Sequence, residues 1–311
     1  ERLEQAIIDA GIQQLLIQFN FSFFNLQALK RLLANLHQRG IQTMLTFHST
    51  ADVYWGEELK TLRDLLPELQ QVSRIFVHGT DDLNRLKDYG LVHNTCLFPH
   101  GVKRQPMEQL TPATPAVLQG KQVIASYGFL LPHKDIQQLI EAFVKYHAEH
   151  PNSHLLLVNA EYPAPISQQE REACEALIER TGLQQQITLI TDYLADEQSL
   201  AWLSLADLIV FPYQHTQESS SAAVRWGLAS ERPVLCTNLP IFEDVAGAVQ
   251  FTNGTDADAI ALALKGLLGD EQQRQQLAAK QLRWLEQHDW NLLSRRLKNL
   301  LIALHYPLLS N

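Results

Sequence analysis

This sequence predicts an α/β protein made of two parallel-sheet domains, and three observations carry that prediction. Short apolar runs of strand length alternate with amphipathic helical segments through nearly the whole chain. The runs are continuously apolar rather than alternating in polarity, as expected of strands covered on both faces. The alternation breaks once, over residues 103–120, where Pro106, Pro112 and Pro115 fall among few apolar residues, and then restarts. The plan is therefore a first domain at 1–102, a linker at 103–120, a second domain at 121–288 and a terminal helix at 289–311. Two open sheets joined this way are expected to face a cleft lined by the carboxyl ends of their strands, where such sheets bind ligands.

In the first domain, Gln14–Phe19 reads as a strand and Asn25–Arg39 as a helix with leucines at helical spacing. Gln42–Phe47 is a strand ending at His48, Gly56–Gln71 a helix, and Arg74–Val77 a strand ending at His78. Asp81–Tyr89 is a helix stopped by Gly90, and Thr95–Phe98 a strand running into Pro99-His100-Gly101-Val102. In the second domain, strands are expected at 122–127, 154–159, 186–191, 207–211, 233–237 and 248–251. Helices are expected at 135–149, 167–181, 196–205, 219–230, 240–246 and 256–268, followed by 270–287 and 290–304 with no further strand.

Composition excludes several classes. The chain has 311 residues, 46% hydrophobic and 19% charged, the make-up of an ordinary globular protein long enough for two domains. A formal net charge of −9 argues against a nucleic-acid partner. No apolar run reaches the roughly 18 residues of a membrane span, and no basic amphipathic helix signals membrane docking. Cys96, Cys174 and Cys236 form no CxxC pair and read as small apolar residues in a reducing compartment. The chain begins at Glu1 rather than Met, so a preceding segment is expected.

The most informative stretch is Glu218-Ser219-Ser220-Ser221, between the Asp207–Tyr213 strand segment and a helical run. Four free backbone N–H groups and the positive end of the dipole make a helix start an anion site, and serine hydroxyls either cap it or bind phosphate oxygens. Gly128, after the first strand of the second domain, permits close backbone approach, and Lys134 at the mouth of the next helix reaches a phosphate or lies in solvent. Neither GxGxxG nor GxxxxGK[ST] is present. His48, His78 and His100 all end strands and are usable as donors or proton carriers. They lie on separate elements without an accompanying carboxylate cluster, so no metal site is expected.

The order of motifs resembles the retaining GT-B glycosyltransferases of family 4. Phe98-Pro99-His100-Gly101-Val102 is similar to that family's interdomain segment, and Tyr127–Asp135 to its lysine-bearing loop. Ala206–Pro212 resembles its central strand, Glu218–Val234 its glutamate-bearing helix, and Pro240–Val245 the segment after it. Phe47-His48-Ser49 and Asp289-Trp290-Asn291 resemble the histidine-bearing strand end and the start of the helix that crosses back to the N-terminal domain.

The resemblance implies a GT-B-like fold with an incomplete N-terminal domain, and metal-independent transfer of a sugar, with retention, from a nucleotide-sugar donor to a glycan or lipid-linked acceptor. No cofactor is implied. His48, Glu218 and Lys134 would be catalytic; Gly128, Lys134, Glu218, Ser219, Ser220 and Ser221 would hold the donor's diphosphate and sugar. Tyr193, Leu194 and Arg225 would lie at the base and ribose, and Asn20 and His100 on the acceptor side. The implied setting is the cytoplasm at the inner face of a membrane, with peripheral association and further domains of a longer chain. Two positions depart from the pattern: Trp226 stands where the family has a second glutamate, and Phe129 where it has an arginine. The first part is read with about three strands, fewer than the family has. These departures motivate an alternative, a catalytically impaired nucleotide-sugar-binding module of a larger enzyme.

Overall fold

The structure is a computed structural model describing residues 2–105, 114–216 and 218–305. It divides into two compact units, the first Glu1–His100 with Gln217–Ser220 and Asn291–Asn311, the second Gly101–Thr216 with Ser221–Trp290. Pro106 and Pro112 of the expected linker lie outside the described residues.

The first unit holds α1 (Arg2–Asp9), β1 (Gln14–Phe19), α2 (Leu26–Gln38), β2 (Gln42–Phe47), β3 (Val53–Trp55), β4 (Glu58–Lys60), α3 (Leu66–Leu69), β5 (Arg74–Val77), α4 (Thr80–Asp88) and β6 (Thr95–Leu97). Its sheet runs β1-β2-β5-β6, every pairing parallel. The sheet thus has four strands rather than about three. Phe19, Leu29, Leu33, Leu45, Phe47, Leu62, Ile75 and Val77 form a dry core between sheet and helices. Asn25 caps α2 by accepting from the Ala28 N–H at 2.9 Å.

The helix expected over Gly56–Gln71 does not form as one element. β3 and β4 pair antiparallel with Trp55 opposite Glu58, so Gly56 and Glu57 make a two-residue hairpin turn. Gly56 takes φ +65, a region costly for any residue with a Cβ. Val53, Tyr54 and Trp55 are β-branched or aromatic, and their strand preference overrides the leucine spacing that follows. Only a 3-10 turn at Leu62–Leu65 and the single turn α3 remain helical.

The second unit contains β7 (Gln122–Phe129), α5 (Ile136–Glu149), β8 (Ser153–Ala160), α6 (Pro165–Thr181), β9 (Ile187–Ile190), α7 (Asp196–Leu203), β10 (Leu208–Phe211), α8 (Ala222–Ala229), β11 (Val234–Cys236), β12 (Gln250–Phe251), α9 (Ala257–Gly269) and α10 (Glu271–His288). Its six strands are all parallel and run β9-β8-β7-β10-β11-β12. This is the doubly wound order, with its switch point between β7 and β10. One core lies on each face: Val123, Ala125, Ile209, Phe211 and Leu228 on one, Ile124, Leu139, Phe143, Leu155 and Val210 on the other. Cys174 and Cys236 are buried within these cores, and all three cysteines are free. The segment expected to be helical at 240–246 is a 3-10 turn, Pro240–Val245.

The final helix, α11 (Trp290–His305), belongs from Asn291 onward to the first unit. Gln14 and Gln42 on β1 and β2 donate to the Leu301 and Leu304 carbonyls, each at 2.9 Å. The Leu304 carbonyl lies among the last four of the helix, which have no partner within it, and the Gln42 amide supplies one. Among the described residues, no helix is long and apolar enough to cross a membrane.

Candidate functional site

In the second unit, chemistry-bearing side chains gather at the carboxyl ends of β7 and β10, the switch point of the sheet. β7 leads through a 3-10 turn, Pro132–Lys134, into α5, and this turn carries Lys134. The lysine is buried, with only 8% of its surface exposed. Its Nζ lies 4.0 Å from the centre of the Tyr213 ring, just beyond β10. A desolvated ammonium over an aromatic face gains a cation–π attraction. Asp135, with φ 45, turns the chain into α5, and its carboxylate accepts from the Gln214 amide at 2.8 Å. The Gln214 N–H donates to the His133 carbonyl at 2.8 Å, so the two loops that follow the switch strands are tied directly to each other.

The helix beside them starts later than the sequence indicates. Its first residue is Ala222 and its cap is Ser221, whose hydroxyl accepts from the Val224 N–H at 3.3 Å. The same hydroxyl lies 3.2 Å from Tyr213 Oη, linking the cap to the ring under Lys134. Glu218, Ser219 and Ser220 thus precede the helix rather than form its first turn. Gly128, with φ 134, brings β7 against α8: a Cβ there would lie 3.3 Å from that of Ala223.

The residues expected near the base and ribose have separate fates. Arg225 is buried, donates from Nη1 to the Ser221 carbonyl at 2.7 Å and from Nη2 to Asp244, and is thereby committed to the fold. Burial lowers its pKa, and Asp244 opposes that effect. Tyr193 is exposed, its ring stacked on Phe129 at 5.9 Å, and Leu194 packs against the core. Trp226 is half-buried with its ring 6.1 Å from that of Tyr127. The two replacements of charged residues, Phe129 and Trp226, therefore each join an aromatic contact.

In the first unit, the segment Glu218–Ser220 is part of the fold. Ser219 Oγ donates to Asp82 Oδ1 at 2.9 Å, and Thr50 and Arg85 donate to the same oxygen. Asp82, 3% exposed, satisfies its charge through these three donors. Ser219 is thus used as an anchor within this unit, while Glu218 is exposed and Ser220 half-buried. Asn20 shapes the turn after β1, its side chain accepting from the Ser22 N–H at 2.9 Å.

His48, His78 and His100 follow β2, β5 and β6, which are neighbours in the sheet. Their placement on separate elements, which argued against a cluster, is what brings them together. Ring centres are 5.1 Å apart for His48–His78 and 4.9 Å for His78–His100. Burial pulls the pKa of His48 below the ordinary imidazole value.

Nothing in the sequence pattern singles out Tyr213 or Asp82, and little singles out Asn159. Tyr213 follows a proline and reads as the tail of a strand; Asp82 reads as a first-turn helix acid. Asn159 stands opposite Gly128 in the sheet, 1% exposed, and neither amide atom finds a protein partner among the described residues. A polar residue closing the run Leu155-Leu156-Leu157-Val158 is the one signal that could have marked it.

Two parallel-sheet units, one of them doubly wound with a buried lysine at its switch point, define an α/β protein of the GT-B class. The sequence profile described as "Glycosyl transferases group 1" matches residues 111–284, more than half of the chain. The chain belongs to that family. No curated protein matches it in sequence. Among solved structures it is similar to sucrose-phosphate synthase from Thermosynechococcus elongatus, with a TM-score of 0.76 and 17% identity over 97% of this chain and 76% of that one. It is also similar to the UDP-forming α,α-trehalose-phosphate synthase of Burkholderia xenovorans in complex with glucose-6-phosphate (TM-score 0.77, 14% identity, 98% of this chain and 76% of that one). The Anabaena protein HepE in complex with UDP matches as well, with a TM-score of 0.76 and 13% identity over 97% and 82% of the two chains.

Proposed function

We propose that this protein transfers a sugar, with retention, from a nucleotide-sugar donor to a glycan or lipid-linked acceptor, in the cytoplasm and without a metal cofactor. The observation that carries the reading is the buried Lys134, held over Tyr213 at the switch point of a doubly wound sheet and beside the capped start of α8. When a nucleoside diphosphate leaves a sugar, negative charge grows on its phosphate oxygens. A pre-placed ammonium and oriented N–H groups stabilise that charge without having to reorganise. Lys134 supplies the ammonium in this reading, and the first turn of α8 supplies the N–H groups. Gly128 lets backbone approach the phosphates. Asn159 adds an amide donor and acceptor at the end of the adjacent strand.

From the resemblance, Glu218 holds donor-sugar hydroxyls and His48 acts near the transferred sugar. His48 would do so as a neutral ring, since its burial disfavours the cation. Ser219 supports this role indirectly, because its bond to Asp82 fixes the segment that carries Glu218. Ribose and base recognition is reassigned away from Arg225, which is spent on Asp244, towards the Phe129–Tyr193 aromatic pair.

One observation favours a second reading, a nucleotide-sugar-binding module with impaired catalysis. The position expected to hold a ribose-binding glutamate carries Trp226, packed on Tyr127, and the neighbouring arginine is unavailable. Nucleoside diphosphate release from a panel of nucleotide sugars separates the two, with UDP-sugars tried first because UDP is named for the trehalose-phosphate synthase and HepE. Turnover that disappears in Lys134→Ala supports the transferase. Diphosphate binding without turnover supports the module, and no nucleotide binding in calorimetry overturns both.

A further inference from the structure

We infer that His48, His78 and His100 form a binding site for a divalent transition-metal ion such as Zn²⁺ in the first unit. Their candidate ligand nitrogens all lie within 4.8 Å of one another. Tetrahedral zinc, with Zn–N bonds of about 2.0–2.1 Å, needs nitrogens roughly 3.3 Å apart, so side-chain rotations of modest size close the cluster. The site is built on a rigid base, because each histidine directly follows, or lies within a few residues of, one of three adjacent parallel strands.

The partners of two rings assign their tautomers. His78 Nδ1 is 2.9 Å from the Phe98 carbonyl. A carbonyl only accepts, so in the neutral ring Nδ1 carries the hydrogen and the lone pair is on Nε2. His48 Nε2 is 2.9 Å from Gln18 Oε1, which places its lone pair on Nδ1. A ring whose far N–H is held by a carbonyl or amide oxygen is the usual state of a metal-bound histidine. His78 is buried and the other two half-buried, so the cluster is shielded from bulk solvent, and a water would complete a tetrahedral zinc set.

The ligand set determines the ion. Three imidazoles, with no carboxylate in the cluster among the described residues, suit Zn²⁺, Cu²⁺, Ni²⁺ or Co²⁺ rather than the hard, oxygen-preferring Mg²⁺ or Ca²⁺. The ion is assigned no part in diphosphate departure, which the proposed mechanism leaves to Lys134. The site stands on its own geometry and its test does not require transfer activity, although it shares His48 with the proposed transfer site.

The test is titration of the tag-free whole chain with Zn²⁺ by calorimetry and with Co²⁺ by visible absorption, in a non-coordinating buffer. One equivalent is expected, with the intense bands of a tetrahedral Co²⁺ centre, and Mg²⁺ is expected to give no heat. His100→Ala and His48→Ala should each weaken binding by at least about tenfold, the size of loss that even an outer-sphere change typically causes. Circular dichroism confirms that these variants are folded. His93→Ala, at an exposed position away from the cluster, should bind as the parent does. Absence of a stoichiometric site, or parental affinity in folded His48→Ala and His100→Ala, overturns the assignment, because the chain has twelve histidines in all and the ion would then sit elsewhere.

Discussion

The guanidinium of Arg225 and the carboxylate of Asp244 form an ion pair inside the second unit, with 4% and 14% of their side chains exposed. The arginine also donates to the Ser221 carbonyl, so it joins the cap of its own helix to the turn at Pro240–Val245. Removing one member of a buried ion pair typically costs about 3–5 kcal/mol. Arg225→Ala is expected to lose stability of that order in urea unfolding. Arg225→Met with Asp244→Leu should recover most of it, since the desolvation cost goes with both charges. If Arg225 read a ribose instead, the single variant would keep its unfolding midpoint and lose nucleotide affinity.

Lys134 presents the opposite case. Its ammonium lies over Tyr213, a contact worth about 0.5–2 kcal/mol, and its proposed task lies in the transition state. Lys134→Met keeps most of the aliphatic stem and removes the charge. Turnover should fall by about 10²–10³, as when one preorganised donor is removed from a developing anion. The unfolding midpoint should move far less than in Arg225→Ala. Comparable losses of stability in these two variants would mark Lys134 as structural.

Gly227 lies within α8, where a glycine normally costs helix stability. Its reason is steric, for a Cβ would meet Phe211 Cε2 at 2.8 Å and Cζ at 3.0 Å. Phe211 ends the central strand β10 and is fully buried, so it has no room to retreat. Gly227→Ala is therefore expected to destabilise by about 1–3 kcal/mol, the usual cost of overpacking, despite alanine's better helix propensity. Phe211→Leu in the same chain should return part of that loss if the clash is the cause. A stabilised single variant would show that the helix shifts freely on the sheet.

The strands of both sheets were legible because short segments rich in apolar and β-branched residues are flanked by polar turns, as in Gln42–Phe47 and Leu208–Phe211. The hairpin at Val53–Lys60 was not, since two three-residue strands leave too little pattern to compete with the helical spacing of the leucines beyond them. The start of α8 was misplaced for a related reason. Any of the three consecutive serines is a good cap by chemistry, and only packing selects Ser221, whose hydroxyl also meets Tyr213. The sequence places Lys134 and Glu218 after strands but does not show that Ser219 binds Asp82, a partner 137 residues away. Nor does it show which strands are neighbours. That order alone turns three scattered histidines into a cluster.

His154 makes the stability of the second unit sensitive to acid. It lies on β8 with 2% exposure, its Nε2 2.9 Å from Thr188 Oγ1. Burial first, then the nearby charge of Lys121 and His147, push its pKa from 6.5 down to about 4. In the unfolded chain the ring takes up its proton near pH 6.5, while in the folded protein it stays neutral until about pH 4. Between those values the unfolded state binds more protons, so stability must fall as pH falls. The contribution is fully present above about pH 6.5 and is lost across the window down to about pH 4, with a limiting slope of about 1.4 kcal/mol per pH unit. His154→Gln retains a donor for Thr188 and removes the titration. Urea midpoints measured from pH 7 to pH 4.5 should therefore decline less steeply in the variant than in the parent. Parallel declines would show that the buried ring is not what senses the acid.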